Sequence, residues 1–217
     1  MSIKPEFVEL MAQRRADLRA KLTPIFPAPR GIVWEIGCGH GHFLERYAAE
    51  FPQRLCVGVD LASERITRAL RKSERGMLLN CHFIRAEAVE FLRALPEGVT
   101  LDEIWVLFPD PWPKKRHHKN RILQPAFFEA LAAYAPTEAR LYFRTDSTDY
   151  FKAVQAFLPA LKTWKTTEIG EPWPLEHETV FQARAESYQS LILVRTSHPA
   201  TPAKIIAPEV PPPADSK

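Results

Sequence analysis

Short apolar runs alternate with stretches whose apolar residues recur at helical spacing, and this alternation leaves few folds open. Ile32–Ile36, Leu55–Val59, Cys81–Ile84, Leu101–Phe108 and Arg140–Arg144 read as strands. Between them, Phe43, Leu44, Tyr47, Ala48 and Phe51 mark one helix, and Ala62–Arg75 and Ala88–Leu95 two more. Phe127, Phe128, Leu131 and Tyr134 give the next helical face, and Tyr150, Phe151, Val154, Phe157, Leu158 and Leu161 another. Thr163–Thr167 and Ser190–Arg195 read as two closing strands. Phe7, Leu10, Met11, Leu18 and Leu22 predict an N-terminal amphipathic helix that Pro24, Pro27 and Pro29 terminate. Strand–helix alternation of this kind builds a mostly parallel, doubly wound α/β sheet with helices on both faces. Such sheets hold ligands at the carboxyl ends of their strands. Gly37–Gly41, Asp60, Glu87, Asp110 and Asp146 each follow a strand and therefore belong to one edge.

The first of these strand ends reads E-I-G-C-G-H-G, Glu35 to Gly41. Glycines at 37, 39 and 41 allow a tight turn and close approach of backbone to a ligand. A dinucleotide fingerprint is G-x-G-x-x-G, with pyrophosphate at the following helix start. Here the spacing is G-x-G-x-G, with an acid two residues before the first glycine. Asp60 stands where a carboxylate can accept both ribose hydroxyls of an adenosine. It also stands where an acid starts a helix. Glu87 has the same two readings, the adenine amino group or a helix start.

The fourth strand ends in F-P-D-P-W-P-K-K-R-H-H-K-N-R, Phe108 to Arg121. Prolines fix φ and remove backbone donors, so the stretch is expected to be a shaped loop and neither helix nor strand. It sets one carboxylate, Asp110, and one aromatic ring, Trp112, beside a run of cations. Such a run holds phosphates without reading sequence. Trp112 is placed either to stack on an exposed base or to anchor the loop. Asp146 precedes Ser147 and Asp149 and is also a candidate helix cap.

Three cysteines without a CxxC pair point to buried free thiols, and the isolated histidines His40, His42, His82 and His177 have no metal-site spacing, so no metal is expected. The N-terminus lacks the apolar core of a signal peptide, and no stretch has the length of a membrane span. A cytoplasmic protein with no membrane association and no obligatory protein partner is expected. The formal net charge of +3 excludes a strongly basic protein, so a nucleic-acid interface has to be local. Residues 1–30 are expected as a helical extension, 31–198 as the α/β domain that carries the ligand edge, and 199–217 as a proline-rich disordered tail.

The glycine turn resembles the S-adenosylmethionine (SAM) loop of class I methyltransferases, in which an acid such as Glu35 lies near the positive charge of the donor. The Phe108–Arg121 stretch resembles the signature of the bacterial tRNA (guanine-N7)-methyltransferases. The resemblance extends to Val59-Asp60, Ala86-Glu87-Ala88, Arg121–Phe128, Thr145-Asp146 and Thr179–Gln182. It implies a Rossmann-like fold, SAM as methyl donor, tRNA as partner, and N7 of a guanine in the variable loop as target. It further implies that Glu35, Gly37, Gly39, Gly41, Asp60, Glu87 and Asp110 contact SAM, and that Asp110 is the catalytic acid. Lys114, Asp146, Thr179, Val180, Phe181 and Gln182 would bind the substrate. Arg116, His117, His118, Lys119, Asn120 and Arg121 would contact RNA.

Two positions and one turn depart from that pattern, the turn being Ala135–Ala139, which lacks the usual glycines. Asn120 stands where the family usually has a basic residue, and Gln182 where it usually has Glu. Losing a cation weakens RNA binding. Losing the acid changes a contact, although Gln still accepts a hydrogen bond. Adenine amino methylation is a rival reading, but Asp110-Pro111-Trp112 lacks the second proline of D-P-P-W loops. A non-catalytic RNA-binding homologue is the other rival, and Glu35, Asp60 and Asp110 argue against it.

Overall fold

In the computed structural model, which describes residues 5–168, 170–177 and 182–200, each of these apolar runs lies in a strand. The elements in chain order are α1 (Pro5–Leu22), β1 (Arg30–Ile36), α2 (His42–Glu50), β2 (Cys56–Asp60), α3 (Ser63–Arg75), β3 (Cys81–Arg85), α4 (Ala88–Ala94), β4 (Val99–Leu107), α5 (Pro125–Ala132), β5 (Arg140–Thr145), α6 (Thr148–Phe157), β6 (Trp164–Thr166) and β7 (Gln189–Arg195). They make one seven-stranded sheet in the order β3-β2-β1-β4-β5-β7-β6. Strands β1 to β5 pair in parallel, and β7 runs antiparallel to both β5 and β6.

The strand order reverses direction between β1 and β4, which pair directly, Ile36 opposite Val106. Connections leaving these two strands run to opposite sides and open a crevice at their carboxyl ends. The Gly37–Gly41 turn and the Asp110 loop leave from those two ends, so topology alone brings them together.

The sheet is buried on both faces. Because side chains alternate along a strand, Ile32, Trp34, Ile104 and Val106 face a core shared with Leu22, Phe91, Phe128 and Val154. Val33 and Trp105 face the other core, with Phe43, Tyr47, Ile66 and Ala69. Trp105 stacks on Tyr142 at 4.0 Å between ring centroids.

Two expectations are corrected. Among the described side chains of α1 the apolar face is uneven: Leu18 and Leu22 are buried, whereas Leu10 is 47% exposed. The helix meets the domain through its later turns, where Arg15 pairs with Glu90 at 3.0 Å and Arg19 donates to the Leu95 carbonyl. The basic run is not all loop, since Lys115–Asn120 forms a 3-10 helix. Prolines at 109, 111 and 113 prevent helix only up to that point. Thr179, Val180, Phe181 and the tail from residue 201 lie outside the described residues. Among the described residues no helix is long and apolar enough to cross a membrane.

Candidate active site at the carboxyl edge of the sheet

The glycine turn is pinned to β2. Gly37 and Cys38 donate to the Val59 carbonyl at 2.8 and 3.0 Å. Gly37 and Gly39 have φ of 71° and 54° with open space where a Cβ would stand. Backbone bare on that side lets a ligand approach closely. Gly41 is required for packing instead: a Cβ there would lie 2.5 Å from the Phe83 ring.

Glu35 lies below this turn on β1 and is only 4% exposed. Its Oε2 has no hydrogen-bond partner among the described residues. Burial pushes its carboxyl from an ordinary 4.5 up to about 8, against the lowering effect of the Leu44 backbone hydrogen bond, and the nearby Asp60 raises it further. A buried carboxylate with an orphaned oxygen beside an open glycine turn is suited to a ligand that brings positive charge. The sulfonium and ammonium of SAM meet that requirement, and the open face at Gly37 and Gly39 leaves it room. The residues present therefore fit the donor.

Asp60 accepts from Gly39 N at 3.0 Å and from Ala62 N at 2.8 Å, with Arg65 3.7 Å away. It ties the glycine turn to the start of α3, whose N-cap is Ala62 and not Asp60. An ionised carboxylate has about four acceptor sites, so two backbone donors leave capacity for ligand hydroxyls. Glu87 is the N-cap of α4 and accepts from Glu90 N at 2.9 Å. Burial raises its carboxyl above the usual range, offset in part by backbone hydrogen bonds from Glu90 and Val89. The helix-start reading of Glu87 is thus realised, and any contact with adenine would be made in addition.

Asp110 is exposed at the β4 end. The backbone around it is held in an unusual shape. Phe108 and Trp112, two residues before and after, adopt φ of 49° and 46°. Bulky side chains rarely occupy that region, and when they do the surroundings enforce it. Phe108 N bonds to the Arg144 carbonyl at 2.8 Å, and its ring meets Tyr188 edge-on. Trp112 meets His117 edge-on. Strain of this kind clusters where a loop presents a functional group.

The expected RNA contacts divide into two groups. Lys114, Arg116 and Lys119 are exposed, while His117, His118 and Asn120 are partly covered. Arg121 is the exception, only 3% exposed. Its Nε donates to the Pro111 carbonyl at 2.8 Å, its other arm reaches Asp149, and its guanidinium lies 4.8 Å from the Tyr150 ring centroid. The Arg121 hydrogen bond holds the Asp149 carboxyl below its usual range. Arg121 is therefore a clamp on the loop, its guanidinium engaged from inside the fold rather than displayed to solvent like its neighbours. Arg121→Ala should cost about 1–3 kcal/mol, because it removes a buried side chain packed on Tyr150 together with its hydrogen bond to the Pro111 carbonyl. Lys119→Ala, at an exposed site, should change stability by less than about 0.5 kcal/mol. Thermal melting of the two variants checks the contrast.

Asp146 is exposed at the β5 end, and Ser147, not Asp146, caps α6 by accepting from Tyr150 N. Asp146 is thus spared for another role. Sequence reasoning missed Arg144, two residues earlier. It is 5% exposed, lies 3.9 Å from the Trp173 ring centroid and 4.8 Å from that of Tyr188, and donates to Ser190 Oγ at 3.0 Å. It also donates to Gln182 Oε1 at 2.9 Å and pairs with Glu176 at 3.3 Å. The departure at Gln182 therefore leaves Arg144 with a carboxylate partner in Glu176. A charged residue near the end of a buried strand needs such partners, and that was the signal available in R-T-D.

The sheet order, the glycine turn and the buried acid define a class I SAM-dependent methyltransferase. Two solved structures share the fold. TrmN from Thermus thermophilus matches with a TM-score of 0.53 at 17% identity, over 82% of this chain and 48% of that one. The aminoglycoside resistance methyltransferase NpmB1 matches at 0.50 and 16%, over 82% and 93%. A family described as "Putative methyltransferase" matches residues 29–192. Among relatives, the tRNA (guanine-N(7)-)-methyltransferase of Halorhodospira halophila is 36% identical over 72% of this chain and 69% of its own length. Those of Syntrophotalea carbinolica and Thermus thermophilus are 32% and 38% identical, over 67% and 61% of this chain. The matched regions span only 63% and 42% of those two proteins. The chain belongs to the tRNA (guanine-N7)-methyltransferase family.

Proposed function

We propose that this chain methylates N7 of a guanine in the variable loop of tRNA, with SAM as the donor, in the cytoplasm. One observation carries the reading: the switch point between β1 and β4 sets a cation-seeking buried carboxylate, Glu35, beside a loop that presents Asp110. Bound SAM would supply an electrophilic methyl group carried on a sulfonium. Glu35, with Asp60 and the bare backbone at Gly37 and Gly39, would hold the donor. Guanine N7 has an in-plane lone pair and no proton, so its attack needs no general base. Asp110 would accept from the N1–H and amino edge of the guanine and leave N7 directed toward the donor. Catalysis then rests on positioning and on a negative environment for the purine as it becomes cationic. Lys114 and Asp146 would contact the substrate, and residues of the Arg116–Arg121 stretch the RNA.

N7 faces the major groove, which is deep and narrow in A-form RNA. The target base therefore has to lie in an irregular region or be turned out of its stack, as a variable loop permits. Purified protein should transfer label from methyl-labelled SAM to unmodified tRNA, and borohydride–aniline cleavage should map the product to the variable loop. Absence of label, or label on another atom, overturns the reading. Product nucleoside analysis separates it from adenine amino methylation.

A further inference from the structure

The cations of α3 are unevenly distributed, and the site described above does not use them. Residues 63–75 carry five cations, Arg65, Arg68, Arg71, Lys72 and Arg75, against two acids, Glu64 and Glu74. This surplus of three equals the formal net charge of the whole chain. The helix buries Ile66, Ala69 and Ser73. On one flank of that buried seam lie Arg65, Arg68, Lys72 and Arg75, at successive three- and four-residue steps and all cationic. On the other flank lie Glu64, Thr67, Arg71 and Glu74, two acids against one cation. A neutral solvated helix gains from alternating opposite charges at these spacings. The first flank does the opposite and repels itself.

The all-cationic flank runs toward the glycine turn. Lys72 Nζ donates to the His40 carbonyl at 3.0 Å and touches the His42 imidazole, and Arg65 lies 3.7 Å from Asp60. Burial lowers the His40 imidazole below its usual range, and Arg68, Lys72 and Arg65 lower it further. The carboxylates facing the flank are Asp60, shared between two backbone donors, and Glu45 beside Lys72. Arg68 and Arg75 are exposed and have no ion-pair partner among the described residues. From Arg65 to Arg75 the stripe is ~15 Å long. The ends of β2 and β4 are about 10 Å apart, two strand spacings. Arg65 stands at the carboxyl edge beside Asp60, and α3 then descends toward the start of β3, where Ser73 bonds the Cys81 carbonyl, so the stripe runs from that edge down the flank of the sheet on the β2 side, away from the Lys114–Lys119 run.

We propose that the Arg65–Arg68–Lys72–Arg75 face of α3 is a second phosphate-binding surface for the tRNA, on the other side of the donor site from the loop cations. This rests on the reading that tRNA is the substrate. An RNA body contacting both surfaces spans the crevice and fixes the target base over it, which neither patch alone does. The cations position the RNA and carry no sequence information.

The test is an Arg68→Glu/Arg75→Glu double variant, which spares Arg65 and Lys72 because they touch the SAM-binding turn. Binding of unmodified tRNA is measured across a salt series, and SAM binding by calorimetry. The expected result is tRNA affinity at least tenfold weaker, a salt slope reduced by roughly one to two phosphate contacts, and SAM affinity and melting temperature unchanged. An Arg68→Gln/Arg75→Gln pair, which adds no repulsion, should show a smaller loss with the same change in slope. Unchanged tRNA affinity and slope in both pairs would overturn the proposal, as would a loss confined to SAM binding. If the wild-type protein binds and methylates tRNA while both pairs behave like it, only the second surface fails. If the wild-type protein neither binds nor methylates tRNA, the reading of the substrate fails and takes this surface with it.

Discussion

Asp110→Ala is expected to lower kcat for tRNA methylation by about 10²–10³-fold, the scale seen when one preorganised polar group is removed from a catalytic site. Stability should move little, by less than about 0.5 kcal/mol, because the side chain is exposed. The argument rests on how the chain spends conformational freedom to present this residue. Phe108 and Trp112 occupy the left-handed region on either side of it. Arg121 grips the Pro111 carbonyl from within. A loop so constrained around an exposed carboxylate is shaped for what the carboxylate will meet. Asp110→Asn keeps the size and one acceptor oxygen but loses the charge and adds donors that oppose the guanine N1–H. It should therefore fall between wild type and Asp110→Ala. Single-turnover rates with saturating SAM and tRNA measure the effect, alongside melting curves. Turnover within a few-fold of wild type in Asp110→Ala would remove Asp110 from the chemistry.

The framework of this site was legible in the sequence because topology generates it. Once strands and helices alternate, the acids after β2, β3, β4 and β5 must share an edge, whatever their side chains do. What the sequence could not reveal is which of two compatible roles each acid takes, because both place it at the same position. Glu87 caps α4, whereas Asp146 leaves capping to Ser147. The difference lies in backbone angles of a few residues. The clamp at Arg121 was hidden for a related reason. It closes a run of cations, but burial depends on Tyr150 and Asp149, which arrive from α6 nearly thirty residues later. Arg144 was missed because its partners Trp173, Glu176 and Gln182 come from a segment with no periodicity to read. The flank of α3 was present in the sequence, but its asymmetry appears only when the buried seam is known.

Glu35 should produce two pH dependences of opposite sign. In the free protein its carboxyl titrates near 8, whereas in the unfolded chain it titrates near 4.5. Between these values the unfolded chain is ionised and the native protein holds the proton. The native state binds more protons, so stability falls as pH rises. This contribution is fully present below about 4.5 and is lost by about 8, at up to ~1.4 kcal/mol per pH unit. SAM binding should respond the other way. To face a sulfonium or ammonium, Glu35 must be ionised, and below pH 8 that ionisation opposes binding. Affinity should therefore tighten by up to about tenfold per pH unit as pH rises toward 8. Calorimetry at pH 7 in buffers of different ionisation enthalpy should find close to one proton released per SAM bound. Glu35→Gln should remove both dependences at once. The amide is neutral, so the apo protein no longer loses stability over this range and should melt higher than wild type at pH 8. SAM affinity should drop roughly 10- to 100-fold at that pH, the equivalent of one charge-assisted contact. A variant more stable than its parent yet poorer at binding the donor is what a buried carboxylate with one oxygen left open for a cation would give. Parallel pH profiles for wild type and Glu35→Gln, or no proton release, would show that the orphaned oxygen at Glu35 does not meet the donor's charge.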